Sequence, residues 1–432
     1  MNTWTRQVEE QILAHGMMPA GTLVLAAVSG GADSVALLLV LHELKDRLGF
    51  RLAVVHYEHG LRPKTSLEDA RFVQDLSSRL NLDCLVEHGD VPALERLWKC
   101  GPEDAARRAR YAFFERAMKA LGAERVALAH HRRDQAETLL LHWVRGAGLK
   151  GLCGMRPVQG PYVRPFLTSA PEQLRDYLAR KGQSWREDET NADLGQPRAL
   201  LRHVALPALE RINPAAVEIL CRNAEGIARD EAHLEALAGA ALEGKTRSMP
   251  YGGVARWAEG TDPALAGRML RMLAARWGIP EPDWAQTLQM VGLAERPRGA
   301  INLFAGWRME KHGKNVHFIM PDPPRWTEQA AGQRGVVTFE GLGRIRAVGI
   351  QEEADAACPG DGIGTQTADC ARLEGCVWRT RRAGDRIHPF GASGGKLLSD
   401  YLTDRKIDRP FRDWVPLLAR GDEILWAVGV GA

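Results

Sequence analysis

Residues 23–41, LVLAAVSGGADSVALLLVL, constrain the fold of this chain more than any other stretch. A short apolar run at 23–28 meets Ser29, Gly30, Gly31, Ala32, Asp33 and Ser34, and a second apolar run follows at once. That order predicts a strand, a tight turn and a buried helix. Two adjacent glycines let the backbone turn sharply and approach a ligand closely. Ser29, Ser34 and the N–H groups at the helix start then face a polyanion, together with the positive end of the helix dipole. The segment has no Gly-Lys-Ser/Thr and no GxGxxG, so neither a Walker A loop nor a dinucleotide fingerprint fits. A plain strand-to-helix turn built from small residues is the alternative.

The rest of the chain extends the pattern. At 432 residues it is too long for one core, and two or three domains are expected. Short apolar strands at 23–28, 51–55, 82–87 and 125–129 alternate with helices at 34–48, 66–80, 103–121 and 134–144. Such alternation predicts an α/β fold with a parallel sheet covered on both faces. From 214 to about 277 the pattern turns helical and alanine-rich, with no clear strand signal. Pro321-Asp322-Pro323-Pro324 reads as a linker. Beyond it, strands at 335–339 and 343–348, a helix at 396–402 and a last strand at 423–430 suggest a small α/β or α+β domain. The expected division is a catalytic domain at 1–213, a helical middle domain at 214–322 and a C-terminal domain at 335–432.

Composition narrows the setting. The seven cysteines are scattered, with no CxxC pair, which argues for reduced thiols in a cytoplasmic protein and against a zinc ribbon. The N-terminal residues carry Glu9 and Glu10 and no apolar core, so no signal peptide is read there, and no run is long enough to span a membrane. The net charge of +3 is uninformative. Residues 371–420, however, hold eleven Lys/Arg against six Asp/Glu, a patch suited to phosphate contacts or simply to a solvated face.

Three further clusters carry chemistry, each expected at the carboxyl edge of the sheet, where ligands bind in such folds. His56-Tyr57-Glu58-His59-Gly60-Leu61-Arg62 follows the second strand, and its histidines and arginine suit a base, a ribose or a phosphate. Arg107 and Arg110 share one helical face and grip a phosphate or carboxylate together, or else pair with Glu103. His130-His131-Arg132-Arg133-Asp134-Gln135-Ala136-Glu137-Thr138 is the densest titratable cluster. Its Asp134 and Glu137 lie one turn apart at a helix start, facing one bound Mg²⁺ or an attacking amine.

The hexapeptide at 29–34 resembles the loop of the PP-loop ATP pyrophosphatases. Together the segments resemble one branch of these, the tRNA(Ile)-lysidine synthetase family. The resemblance runs through SGGADS, HGLR, E-x-x-A-R-x-x-R-Y at 103–111, HHRRDQAET, RGAGLKGLCGM at 145–155, RPFL at 164–167, DETNAD at 188–193, and Arg198 and Arg202. It continues in the tail at 381–413, similar to that family's tRNA-binding end. Arg133 stands where the family commonly has a first aspartate, and Ala199 where it has an asparagine.

The resemblance implies a two-step reaction. ATP adenylates the wobble cytidine of a tRNA(Ile) bearing a CAU anticodon, and the ε-amine of L-lysine then displaces AMP. It implies that residues 29–34 hold the phosphates, with Asp33 on Mg²⁺, and that His56 and His59 belong to the nucleotide site. Arg107 or Arg110 balances charge on the α-phosphate. Asp134 and Glu137 hold the lysine ammonium or the metal, Asp134 counting as a metal ligand with Asp33. His130, Arg198 and Arg202 are assigned to substrate or tRNA. Arg382, Arg386, Lys396, Arg405 and Arg412 are assigned to tRNA, with Phe390, Tyr401 and Phe411 as stacking aromatics. The alternatives are another PP-loop tRNA modification such as thiolation, which generally uses paired cysteines, or a non-catalytic RNA-binding relative. A surface helix of the middle segment offers a place for a homodimer contact.

Overall fold

The computed structural model describes residues 3–58, 60, 63–186, 197–249, 251–322, 327–331, 335–339, 343–347, 373–389 and 394–431. Of 63–67, 335–339 and 343–347 only the backbone elements are described. The chain divides into two compact units, Met1–Glu231 and Ala232–Ala432.

The first unit is built on strands β1 (Leu23–Ala27), β2 (Arg51–Glu58), β3 (Cys84–His88), β4 (Arg125–Ala127), β5 (Val158–Gln159) and β6 (Tyr162–Val163). They lie in the order β3-β2-β1-β4-β6-β5. All neighbours are parallel except β5 and β6. Helices α1 (Thr3–Ala14), α2 (Ala32–Leu48), α3 (Pro63–Arg79), α4 (Val91–Trp98), α5 (Pro102–Leu121) and α6 (Arg132–Val144) accompany the sheet. Strand β1 is central, and its side chains alternate between two cores. Val24 and Ala26 join α1 and α2, while Leu25 joins Ala53, Val55, Phe113 and Phe114 on the opposite face. Helix α2 is apolar almost all round because it is buried almost all round, from Ser34 to Leu44. The expected parallel sheet is therefore present. Helix α4, which no sequence signal singled out, starts from Asp90, whose side chain accepts the Ala93 N–H at 3.0 Å.

The second unit departs from expectation. Helices Pro263–Arg276 and Trp284–Ala294 are present, but they cover a five-stranded antiparallel sheet. Its strands are β7 (Thr246–Met249), β8 (Gly252–Arg256), β9 (Arg298–Asn302), β10 (Arg308–His312) and β11 (Asn315–Ile319), in the order β7-β8-β11-β10-β9. The stretch read as helical up to Trp277 thus contains β7 and β8. These strands are short, and Gly252 and Gly253 erase the alternation that marks a strand. Gly253 has a packing reason: a Cβ there would fall inside the Trp277 indole. In β10 the charged Glu310 and Lys311 are both buried, on opposite faces of the sheet, so the strand lacks the apolar-polar alternation of a half-exposed one.

The end of the chain forms a second sheet from the segments Gln329–Ala330, Val377–Arg379, Leu417–Arg420, Glu423–Ala427, Arg386–Ile387 and Lys396–Leu397, hydrogen-bonded in that order. A separate hairpin pairs Gly335–Phe339 with Gly343–Ala347. The helix expected from 396 begins instead at Leu398, after a two-residue strand. Inside this sheet Arg379 and Asp385 form a buried bidentate pair, both contacts 2.8 Å, and Asp385 also accepts the Arg382 N–H at 2.7 Å. Gly384 and Asp385 thus form a turn anchored by a buried charge. Among the described residues no helix is long and apolar enough to cross a membrane.

Substituting Gly253→Ala is expected to destabilise the second unit by about 1–3 kcal/mol, because the added methyl must displace a packed indole. Urea unfolding of the full chain followed by tryptophan fluorescence checks this; an unchanged midpoint refutes the packing argument.

Candidate active site

The turn after β1 is wired by its own side chains. Gly30 takes φ +99, a conformation that side-chain-bearing residues adopt only with strain. Its carbonyl accepts the Arg186 N–H at 3.0 Å. Ser34 Oγ accepts the Ser29 N–H at 3.1 Å and donates to the Gly31 carbonyl at 2.9 Å. With that proton committed, the Ser29 hydroxyl donates to Ser34 Oγ, 3.1 Å away. Helix α2 then begins at Ala32, and no side chain caps Gly31. The first N–H groups of α2 are left for a ligand at the positive end of a buried helix.

This turn forms one wall of a cavity of about 290 Å³. The cavity opens at the carboxyl ends of β1, β2 and β4, where the strand order reverses between β1 and β4. Ser29, Asp33, Tyr57, Arg110, Phe114 and His130 line it. Tyr57 and Phe114 supply a flat apolar wall, and the turn with Arg110 supplies a polar one. Arg110 Nε and His130 Nδ1 are buried with no hydrogen-bond partner, which leaves both available to a ligand. Burial and then the cations Arg164, Arg110, Arg198 and Arg107 push His130 down to about 3, so its imidazole is neutral at physiological pH.

The arginine pair separates. Arg110 reaches the cavity, whereas Arg107 is exposed, its guanidinium 5.0 Å from the Tyr111 ring centroid. Arg107 adds to the field at His130 rather than to the lining. The two sit one turn apart, and the docking of α5 on the sheet decides which one faces inward. His56 is buried and its Nδ1 lies 2.7 Å from the Val28 carbonyl, so it braces the end of β1 and is absent from the lining. His59 lies outside the described residues, as do Leu61, Arg62 and the DETNAD segment.

Beside the cavity, α6 presents the acids. His131 and Asp134 cap the helix reciprocally: the Asp134 N–H donates to His131 Nδ1 at 3.3 Å and the His131 N–H to Asp134 Oδ2 at 3.0 Å. In the neutral ring Nδ1 accepts and Nε2 carries the proton toward Asp33 Oδ2, 3.5 Å away; in the protonated ring Nδ1–H faces Asp134 Oδ2 at 3.3 Å instead. His131 therefore joins the acid of the turn to the acid of α6. Glu137 is fully buried and bound through both oxygens by Arg202, at 2.6 and 3.0 Å, and Arg202 also reaches Asp134 at 3.2 Å. Arg202 rides on a single π-helical turn, Leu201–Ala205. Arg133 turns away to a bidentate pair with Glu210, at 2.9 and 3.2 Å. Arg198 contacts Glu103 at 3.0 Å.

Three participants had weak sequence signals or none. His131 stood in the doublet, and its spacing three residues before Asp134 is that of a capping box. Tyr57 stood in the cluster placed after the second strand, without a role of its own; the strand in fact runs through it to Glu58. Arg186 backs the turn through its N–H and binds Asp69 and Glu68 at 2.8 Å each. No local pattern marks it.

The five cations assigned to tRNA are exposed or partly exposed, and all five are engaged within the unit. Arg382 pairs with Glu328 at 2.5 Å and Lys396 with Asp404 at 2.8 Å. Arg386 donates to the Gly395 carbonyl at 3.2 Å and Arg412 to the Ile407 carbonyl at 2.9 Å. Arg405 lies 5.2 Å over the Tyr401 ring. Tyr401, only 1% exposed, belongs to the core, and Phe411 packs against that core. Tyr401 therefore offers no free face to a base, contrary to the sequence reading, and Phe411 is partly buried; Phe390 lies outside the described residues.

A phosphate-sized turn at the switch point of a parallel sheet, with cations and acids on one rim, defines an ATP-handling α/β protein of the PP-loop class. Residues 4–209 match the PP-loop domain family, and residues 376–432 match the TilS substrate C-terminal domain. A tRNA(Ile)-lysidine synthase from Geobacter sulfurreducens is 36% identical over 429 residues, covering 96% of this chain and 90% of its own. Another from Symbiobacterium thermophilum is 34% identical, covering 98% of this chain and 93% of its own. One from Deinococcus radiodurans is 37% identical over 95% of this chain and 60% of its own. The chain belongs to the tRNA(Ile)-lysidine synthase family.

Burial alone would lower the pKa of His131, but its contacts with Asp33 and Asp134 overcome that and raise it. The charged imidazole therefore stabilises the fold fully below about pH 6.5, and that contribution is lost as pH rises through the folded-state value. Asp33→Asn is expected to move the His131 titration to lower pH in imidazole NMR, while His130 stays neutral down to about pH 3. A His131 titration unmoved by the substitution refutes the link.

Proposed function

We propose that the chain uses ATP and L-lysine to convert the wobble cytidine of a CAU-anticodon tRNA(Ile) to lysidine, changing its codon from AUG to AUA. The observation that carries the reading is the convergence of a phosphate-sized turn, an arginine and a neutral histidine with unpartnered nitrogens, and a neighbouring acid pair. The triphosphate lies along residues 29–34 and the N-terminus of α2, with the base against Tyr57 and Phe114. Arg110 and the neutral His130 meet the α-phosphate as the cytidine C2 oxygen attacks and pyrophosphate leaves. Arg107, Arg198 and Arg164 add positive potential from outside the lining.

In the second step the lysine ε-amine attacks C2 and AMP leaves. Only the neutral amine is a nucleophile, so its ammonium must be bound and then lose a proton. Asp134 and Glu137 receive it, and Arg202, which holds that pair, yields or shares its place. Arg133 leaves this chemistry untouched because Glu210 binds it.

Magnesium, when bound, neutralises charge on the leaving pyrophosphate. It needs only one or two carboxylates when phosphates supply the other oxygens. Asp33, half-exposed at the rim beside the turn, fits that role. Asp134 does not, since one oxygen takes the cap N–H and the other takes Arg202. Among the described residues no group of three or more His, Cys, Asp or Glu is disposed to hold a metal ion. We assign tRNA binding to the basic end, residues 335–432, with 214–322 as the segment that joins it to the catalytic part, and place the enzyme in the cytoplasm.

Mass spectrometry of a tRNA(Ile) with a CAU anticodon, after incubation with the full chain, ATP, Mg²⁺ and lysine, is expected to show one lysine added at the wobble cytidine. Asp33→Ala and Asp134→Ala are each expected to abolish incorporation while tRNA affinity is retained. Arg110→Ala should lower the rate by about a hundredfold or more, the scale for one lost donor to a charged transition state. An unmodified tRNA overturns the reading, and wild-type incorporation by any variant overturns that residue's role.

A further inference from the structure

Asp408 sits at the N-cap of the short helix Arg409–Arg412, where an aspartate ordinarily accepts an N–H of its own helix. It makes no such bond. Its carboxylate turns instead to β11, accepting from Asn315 Nδ2 at 2.5 Å and from His317 Nε2 at 3.0 Å. With Nε2 donating, His317 Nδ1 accepts from the Tyr251 hydroxyl at 2.9 Å. Tyr251 is 1% exposed and His317 2%, so the hydroxyl and the imidazole are closed to a substrate and only the Asp408 end meets solvent. Burial works against the Asp408 carboxylate, yet the bonds from His317 and Asn315 hold it below the usual range. Around the chain Met249, Tyr251 and Trp414 form a small apolar cluster, with Tyr251 and Trp414 6.2 Å apart.

The polar chain and the cluster tie the segment 405–414 to β11, the central strand of the five-stranded sheet. That segment carries Arg405, Lys406, Arg409 and Arg412, four cations within eight residues. An N-cap that abandons its own helix for a buried bond across the unit gives up local stability for a fixed placement of those cations.

We propose that Asp408, with His317, Asn315 and Tyr251, is a positioning device for tRNA: it fixes this basic segment against the five-stranded sheet so that its arginines meet the RNA backbone in one register. The inference rests on the assignment of the chain's basic end to tRNA.

The test measures tRNA affinity of the full chain by fluorescence anisotropy at several salt concentrations, with a fluorescent ATP analogue titrated in parallel. Asp408→Ala is expected to bind tRNA about tenfold more weakly, with a salt slope shallower by about two, the count for two lost phosphate contacts. Loss of folded protein would lower the active fraction without changing that slope. Asp408→Asn is expected to restore most of the affinity, since the amide oxygen still accepts from Asn315 and His317. Affinity for the ATP analogue should be unchanged in both. Asp408→Ala with wild-type affinity and slope overturns the proposal. If that variant fails to fold, Asn315→Ala decides instead: a wild-type slope overturns the proposal and a shallower one supports it. The double variant Arg405→Glu, Lys406→Glu separates the premise from the inference. Unchanged tRNA affinity there overturns the tRNA assignment itself, whereas weakened affinity beside a wild-type Asp408→Ala overturns only the positioning role.

Discussion

The site depends on a turn that satisfies itself before any ligand arrives. Ser34 and Ser29 spend their hydroxyls on the loop, Gly30 accepts a left-handed conformation, and Arg186 holds its carbonyl from behind. What remains outward is a row of backbone N–H groups at the start of α2. A polyanion meets donors that need no rearrangement, which is the condition under which electrostatic stabilisation acts most strongly on a transition state.

Charge around the turn is sorted rather than mixed. Arg110 lines the cavity with Arg107, Arg164 and Arg198 behind it, and burial together with these cations keeps His130 neutral. Asp33, Asp134 and Glu137 gather on the other side, linked by His131 and balanced by Arg202. Two adjacent histidines therefore carry opposite protonation preferences, one set by cations and burial, the other by carboxylates. A nucleotide and an amine can be handled within one rim because each side already has the sign its substrate lacks.

The strand, the turn and α2 were legible because continuous apolar runs and a glycine pair report local geometry directly. Asp134 and Glu137 were legible as acids at a helix start, but their partner Arg202 lies 65 and 68 residues away, and only the fold brings it there. Arg110 and Arg107 looked equivalent because helical spacing places both on one face, and the choice between them is made by how α5 docks. Tyr401 and Phe411 looked like stacking platforms because composition does not report burial. The middle sheet escaped notice for the converse reason: glycines that admit an indole, and a buried lysine and glutamate, remove the apolar alternation by which strands are recognised.

Strand β1 sends Val24 and Ala26 to one core and Leu25 to the other, in register with Arg51 through Val55 on β2. A slip of one residue would turn every one of these side chains to the wrong face. The turn begins one residue beyond the strand, so its place is set digitally: the two cores admit one alignment and exclude its neighbours. The placement of the turn is thus inherited from hydrocarbon packing beneath it, and mutations deep in either core should be read as changes to the site's alignment as well as to stability.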